Sequence, residues 1–321
     1  SYRLNEQFET AIKYFFQVLE IAKKLGNKQE ELGALLGLAT SYHCSKKIET
    51  AIEYFCQSLE IAKEQGNKQQ KAKVLLGLAT SYHSKEQFET AIEYFRQVFE
   101  IAKEQEDKQE ESVALLGIAD SYRLNKQFET AIEYFGQVLE IAKEQGDKQQ
   151  EAQILLGLAY SYHSKGQFET AIEYFGQVLE IAKVQESKDE ELLALLGIAN
   201  SSRSNEKFEA ASECIDKVSK IAREQENKQQ EPQVLMALAN FDQTKKQFES
   251  TIEYFGKVWE IAKKRGNKQE ESVALLAIAD SYRLNEQFET AIKYFLQVFE
   301  IAKELGNKQE ELGALLGLAT S

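Results

Sequence analysis

Three histidines, three arginines and two aspartates stand at matching places along the chain. His43, His83 and His163 share one register with Arg123, Arg203 and Arg283, every spacing being a multiple of 40 residues. Three residues before these come Thr40, Thr80, Asp120, Tyr160, Asn200 and Asp280. On a helix, residues three apart are neighbours. Thr40 is thus expected beside His43, Thr80 beside His83, Tyr160 beside His163, Asp120 beside Arg123 and Asp280 beside Arg283. Such a row of donors and acceptors suits an extended peptide, and a free guanidinium fork can hold a carboxylate by two bonds. The competing reading is that Asp120–Arg123 and Asp280–Arg283 are exposed intrahelical pairs, worth ~0.3–0.5 kcal/mol each.

The same residues argue against catalysis. Histidines on successive copies of a stack lie about 10 Å apart, the spacing of packed helices, which is too far to share one metal. The sequence has no HExxH, no glycine-rich phosphate loop, no GxSxG and no CxxC. No metal, cofactor or enzymatic activity is expected. Cys44, Cys56 and Cys214 are odd in number and scattered, unlike a disulfide framework, which favours a reducing, cytoplasmic setting. The formal net charge of -13 disfavours a nucleic-acid backbone or an anionic membrane as partner. No apolar run approaches the ~20 residues that span a bilayer.

What must position this row is a repeat. The length of 321 is eight forties plus one, and FETAIEYF recurs at 88–95, 128–135 and 168–175, with FETAIKYF at 8–15 and 288–295. Eight copies follow in unbroken register from 1 to 321, expected as one tandem array. In the copy Asp147–Glu186, Asp147 to Gln150 reads as a capping box, with equivalents at Asn27, Asn67, Ser187 and Asn307. A first helix is expected over 148–164, with Ala152, Leu155, Leu156, Ala159 and Tyr162 at helical spacing and Ile154 and Leu158 widening the stripe. A second is expected over 168–184. There Phe168, Ala171, Ile172, Phe175, Val178, Leu179 and Ala182 face inward, and Glu169, Glu173, Glu180 and Lys183 face water. The many glutamates read as a solvated face. Gly26, Gly66, Gly146, Gly266 and Gly306 follow second helices as left-handed caps, and Glu106, Glu186 and Glu226 take that place in other copies. Pro232 falls in the first turn of a first helix, where its missing N–H costs little.

These residues resemble the tetratricopeptide repeat. Ile118 and Leu158 supply the first-helix aliphatic, Ala119 and Ala159 its small residue, and Tyr122 and Tyr162 its tyrosine. Gly166, Phe168, Ala171 and Phe175 match the turn and second helix. Leu115 and Leu155 replace the family's tryptophan, and Lys143, Lys183 and Arg223 its proline. The unit has 40 residues in place of the commoner 34. The resemblance covers the whole chain. It implies an all-α, right-handed superhelical α-solenoid of helix-turn-helix units whose first helices line a concave surface. It further implies a non-enzymatic scaffold that binds a protein or peptide along that surface.

Two irregularities stand apart. The copy Ser201–Asn240 has Ser202, Ser212, Cys214, Ile215 and Ser219 where other copies have Tyr, Ile, Tyr, Phe and Leu, and Phe241, Asp242 and Thr251 follow. Drift explains this, or a hinge or partner site between 201 and 251. Asn200-Ser201-Ser202 is also a glycosylation sequon, read as chance on a helix. Secondly, Ser1 and Ser321 both fall in mid first helix, and residues 281–321 repeat 1–41 with three changes: Phe16 to Leu296, Leu19 to Phe299 and Lys24 to Glu304. This leaves apolar surface expected bare at Tyr2, Phe8 and Ile12 and at Leu315, Leu316 and Ala319. The alternative function is therefore a structural protein, extracellular if fibrillar. Its chains would join end to end through these residues, or form a very long superhelical array.

Overall fold

A computed structural model of the chain describes residues 2–225 and 247–321, with 235, 236, 238, 239 and 242 between them. Among the described residues there are fifteen α-helices and no strand. They are α1 Tyr2–Leu25, α2 Lys28–Cys44, α3 Ile48–Gln65, α4 Lys68–Ser84, α5 Phe88–Glu104, α6 Lys108–Leu124, α7 Phe128–Gln145, α8 Lys148–Ser164, α9 Phe168–Val184, α10 Lys188–Ser204, α11 Phe208–Gln225, α12 Phe248–Arg265, α13 Lys268–Leu284, α14 Phe288–Leu305 and α15 Lys308–Thr320. The chain divides into two compact units, Ser1–Ile181 and Ala182–Ser321. In the first unit α1 to α8 pack each on the next, and the first helices α2, α4, α6 and α8 also touch one another in order. In the second unit α10 packs on α11, α12 to α15 pack in succession, and α13 also touches α15. Pro232, Glu226, Asn240, Phe241 and Gln243 lie outside the described residues.

The links between helices are short because one residue serves two helices. Gly26 is left-handed at φ 67° and donates to the Lys23 carbonyl, while the Asn27 N–H reaches the Ala22 carbonyl at 3.0 Å. This is a Schellman end. The Asn27 side chain then accepts from Glu30 N at 3.2 Å and starts α2. Asn67, Asp107, Asp147, Asn267 and Asn307 cap in the same way. The expected capping box is therefore only half realised. The cap N–H is spent on the preceding helix, so the Glu or Gln three residues on has nothing to receive there. The Ser187 side chain makes no cap bond.

The second link, from first to second helix, is also a Schellman end, but its left-handed residue is seldom glycine. Lys46, Glu86, Lys126, Glu206 and Glu286 sit at φ 59° to 62°, and Gly166 at 76°. The heptapeptide YRLNEQF makes this turn at 282–288, with Gln287 N bonded to the Tyr282 carbonyl at 2.9 Å. The identical heptapeptide at 2–8 does not: α1 is one continuous helix from Tyr2 to Leu25, not a first-helix end followed by a turn. A left-handed non-glycine residue costs ~1–2 kcal/mol. At Glu286 the packing of α13, including the Tyr282–Tyr294 stack at 5.5 Å, offsets that cost. At Tyr2–Phe8 the backbone ladder runs straight through instead.

Two rows form the core. Second helices bury positions spaced four, three and four apart, as in Ala131, Phe135, Val138 and Ala142, a single apolar stripe. First helices bury Ala34, Leu35, Leu38 and Ala39 and their equivalents. Ala159, Ala171 and Phe175 are buried as expected, but Leu156 and Tyr162 are half-buried. Leu156 faces a groove, and the Tyr162 ring stacks on Tyr174 at 5.3 Å with one side open. The glutamates are not all solvated: Glu31, Glu111, Glu151 and Glu271 are buried, each paired with the lysine three residues earlier. In the irregular copy Ser202, Cys214 and Ile215 are buried. The buried Thr251 hydroxyl donates to the Gln247 carbonyl at 2.8 Å, which removes the penalty of an unpaired polar group.

Candidate binding groove

The first helices project one side chain per copy from each of a few fixed places, so any surface they share is assembled from residues 40 apart. Between α4, α6 and α8 they enclose a groove of about 440 Å³. Its floor is apolar, made of Leu76, Leu116 and Leu156 with Val113 and the rings of Phe95 and Phe135 behind them. Its rim carries Thr80, His83, Asp120, Arg123 and Tyr160.

The floor exists because of a row of glycines absent from the sequence reading. A Cβ on Gly117 would stand 2.4 Å from Phe95 Cε1, and one on Gly157 2.4 Å from Phe135 Cε1. Gly37, Gly77 and Gly317 meet Phe15, Phe55 and Phe295 in the same way. Phe15, Phe55, Phe95, Phe135 and Phe295 thus each lie directly against a first-helix backbone. A glycine recurring in mid-helix at one register was the available signal.

The rim is a connected polar row. Arg123 Nε and one terminal nitrogen both donate to Asp120 Oδ1, at 2.9 and 2.5 Å. The other carboxylate oxygen lies 3.3 Å from His83 Nε2 on the neighbouring helix, at ion-pair distance but out of line for a hydrogen bond. Burial alone would raise the Asp120 pKa. His83 and the Arg123 charge outweigh it and hold the carboxyl below its ordinary value. One copy earlier, His43 Nδ1 on α2 lies 3.0 Å from Ser81 Oγ, and burial pushes the His43 pKa down. Tyr160 sets its ring edge-on to Phe175 at 5.1 Å, and burial raises its pKa.

Of the expected neighbours, Asp120–Arg123 and Asp280–Arg283 pair, the latter at 2.9 Å. The others turn elsewhere. His43 reaches Ser81 in place of Thr40. The Thr80 hydroxyl donates to its own helix at Leu76 O and Gly77 O. His83 and His163 set their rings edge-on to Phe88 and Phe168. Asp280, Arg283, Asn200 and Arg203 lie in the second unit, Asn200 exposed and Arg203 half-buried on α10. Thr40 is exposed on α2. Among the residues expected at chain ends, Phe8 and Ile12 are half-buried, while Leu315 is 46% and Leu316 59% exposed, and Ala319 is exposed. No group of three or more His, Cys, Asp or Glu among the described residues is arranged to hold a metal ion. No helix among them is long and apolar enough to cross a membrane.

Stacked helix pairs with a small-residue seam and a ligand-sized groove across the first helices define a helical-repeat scaffold. Tetratricopeptide repeat models match residues 1–64, 31–104 and 110–183, and a further one matches 274–309. The chain belongs to the tetratricopeptide repeat family. A model of anaphase-promoting complex subunit 5 also matches residues 156–245. No curated protein matches the chain. Among solved structures, the apo form of the quorum sensor NprR from B. thuringiensis is similar at TM-score 0.73 and 19% identity, over 94% of this chain and 86% of that one. A Rap protein in complex with competence and sporulation factor is similar at 0.60 and 17%, over 94% and 87%. A kinesin light chain-like repeat protein of Podospora anserina is similar at 0.54 and 22%, over 61% and 98%. At these identities the likeness is one of fold.

Proposed function

We propose that this chain is a non-enzymatic scaffold that binds a protein or peptide on its first-helix face, the face the family fold makes concave, with the groove of the first unit as a principal site. The observation that carries the reading is the convergence of Thr80, His83, Asp120, Arg123 and Tyr160, from three different copies, around one apolar floor. A pocket with an apolar lining and a few convergent polar groups is the usual form of a binding site. The Rap structure with competence and sporulation factor bound supports it by analogy of fold. Substitutions borrowed from other copies test the site without introducing residues foreign to the fold. Tyr160→Thr and Asp120→Thr copy Thr80. A partner captured from the native source should be lost with these two variants and kept with Glu173→Ala on an exposed second-helix face. The reverse pattern would move the site to the second helices.

A further inference from the structure

We infer that the stacked pair Tyr162–Tyr174, with the uncovered backbone at Gly136, forms a second binding site that takes the guanidinium of an arginine side chain on a partner protein, and that Tyr282, Tyr294 and Gly256 repeat it. These residues are not among those that line the first-helix groove, so the inference goes beyond the binding reading above.

The chain itself shows what the place accepts, because some copies fill it from within. Tyr122 stacks on Tyr134 at 5.5 Å, Tyr162 on Tyr174 at 5.3 Å and Tyr282 on Tyr294 at 5.5 Å, each pair joining a first helix to the second helix that follows. One register on the preceding second helix reaches such a pair. There Arg96 on α5 donates through a terminal nitrogen to the Tyr122 hydroxyl at 2.8 Å, and Phe16 on α1 sets its ring edge-on to Tyr54 at 6.1 Å. Gly136 on α7 and Gly256 on α12 hold the same register, 40 and 160 residues beyond Arg96. A Cβ added at either would meet nothing within 4 Å. In these copies the tyrosines are kept and the group that meets them elsewhere is missing.

Charge decides between the two precedents, a ring and a guanidinium. Residues three and four apart share a helix face. Arg96 lies between Glu93 and Glu100, and Gly136 between Glu133 and Glu140, all four glutamates exposed. Phe16 lies instead between Lys13 and Glu20, and the apolar Leu296 between Lys293 and Glu300. An apolar occupant thus goes with flanks that cancel, and the cationic one with two carboxylates. Gly136 has the flanks of the cationic copy without its cation. A planar guanidinium can also lie on a tyrosine ring and donate in its own plane, which an ammonium cannot do at once. Gly256 has Glu253 and Glu260 beside it, but Lys257 already holds Glu253 at 2.7 Å. The Gly136 site is therefore the stronger of the two.

The test is an NMR titration of the 321-residue chain, isotope-labelled in its tyrosine rings, with N-acetyl-arginine amide and with the lysine and phenylalanine counterparts. Ring signals are assigned by replacing single tyrosines with phenylalanine. Tyr162 and Tyr174 should shift and saturate with the arginine probe at a concentration at least about fivefold below that needed with the lysine probe, which lacks the fork. Gly136→Arg, which copies Arg96, should abolish those shifts and leave those of Tyr282 and Tyr294. Arg96→Gly, the reciprocal exchange, should add Tyr122 and Tyr134 to the responding set. Both variants place at this register a residue the fold already holds there in another copy. Undiminished Tyr162 shifts in Gly136→Arg, or a Tyr122 response unchanged by Arg96→Gly, would overturn the inference. Equal or tighter binding of the phenylalanine probe would overturn it in favour of an aromatic side chain, and no saturable shift with any probe would remove the site. The groove reading is untouched by each of these outcomes, since the copy-swap capture tests it on other residues.

Discussion

The ring of Phe135 occupies the space that a β-carbon on Gly157 would need, with 2.4 Å between that point and Phe135 Cε1. Phe135 is 1% exposed, so the ring has nowhere to retreat. Gly157→Leu should therefore destabilise the array by overpacking, ~1–3 kcal/mol or more. The contrast is Gly136, also in mid-helix, where an added Cβ meets nothing within 4 Å. Gly136→Ala should stabilise by up to about 1 kcal/mol through helix propensity alone. Urea denaturation of the two variants gives opposite signs if the seam is packed as described, and equal signs if it is not.

A second test concerns the left-handed links. Glu106 follows α5 at φ 55°, is exposed, and takes the place that Gly26 and Gly66 fill elsewhere. The left-handed penalty of a non-glycine residue is ~1–2 kcal/mol, part of which is returned as extra chain entropy when glycine is introduced. Glu106→Gly should raise stability by ~0.5–1 kcal/mol, visible as a higher denaturation midpoint with an unchanged slope. A loss of stability would mean that the Glu106 side chain contributes contacts that outweigh the strain.

Much of this was legible in the sequence, and what was not depends on contacts between helices. The helices over 148–164 and 168–184 fall where periodicity and capping residues put them, because strict repetition supplies the same local signals many times. YRLNEQF lies within a helix at 2–8 and forms a turn at 282–288, so the heptapeptide alone does not fix the turn. The Lys108–Glu111 and Lys148–Glu151 pairs are local and could be read from the spacing, but the burial of Glu111 and Glu151 is set by the helices packed against α6 and α8. The groove's members were legible as a register but not as a site. Which of them converge depends on the alternation of His83, Asp120, Arg123 and Tyr160 from copy to copy.

Two first-helix side chains, His43 and Asp120, make stability depend on pH in two windows. Burial depresses the His43 pKa below its ordinary value near 6.5. A depressed folded-state pKa favours folding above the unfolded value, and that contribution is lost as pH falls through the folded value. Thermal stability should thus decline from pH 7 toward pH 5, and His43→Gln should flatten that decline. Asp120 acts lower down. Its pKa is held below the usual carboxylate range, so its contribution is present above about pH 4 and fades below. Asp120→Asn should leave the upper window intact and flatten only the lower one. A wild-type profile that does not fall between pH 7 and pH 5, or one unchanged by His43→Gln, would show that His43 is not held neutral by burial.

Residues 27–41 and 307–321 have identical sequences, so paired substitutions in one polypeptide separate context from composition. Leu35 is 1% exposed, held in the cluster of Leu32, Leu38 and Phe55, whereas Leu315 is 46% exposed. Truncating a fully buried leucine costs ~2–5 kcal/mol, because the cavity collapses only in part. Leu35→Ala should lie in that range. Leu315→Ala should cost at most about 1 kcal/mol, since surface substitutions away from special features change stability little. Amide hydrogen exchange along α2 and α15 reads the two effects separately, which matters in an array whose copies open locally. If Leu315→Ala costs as much as Leu35→Ala in dilute protein, the outer face of α15 is covered by a packing partner in solution. If both are small, the burial of Leu35 is wrong.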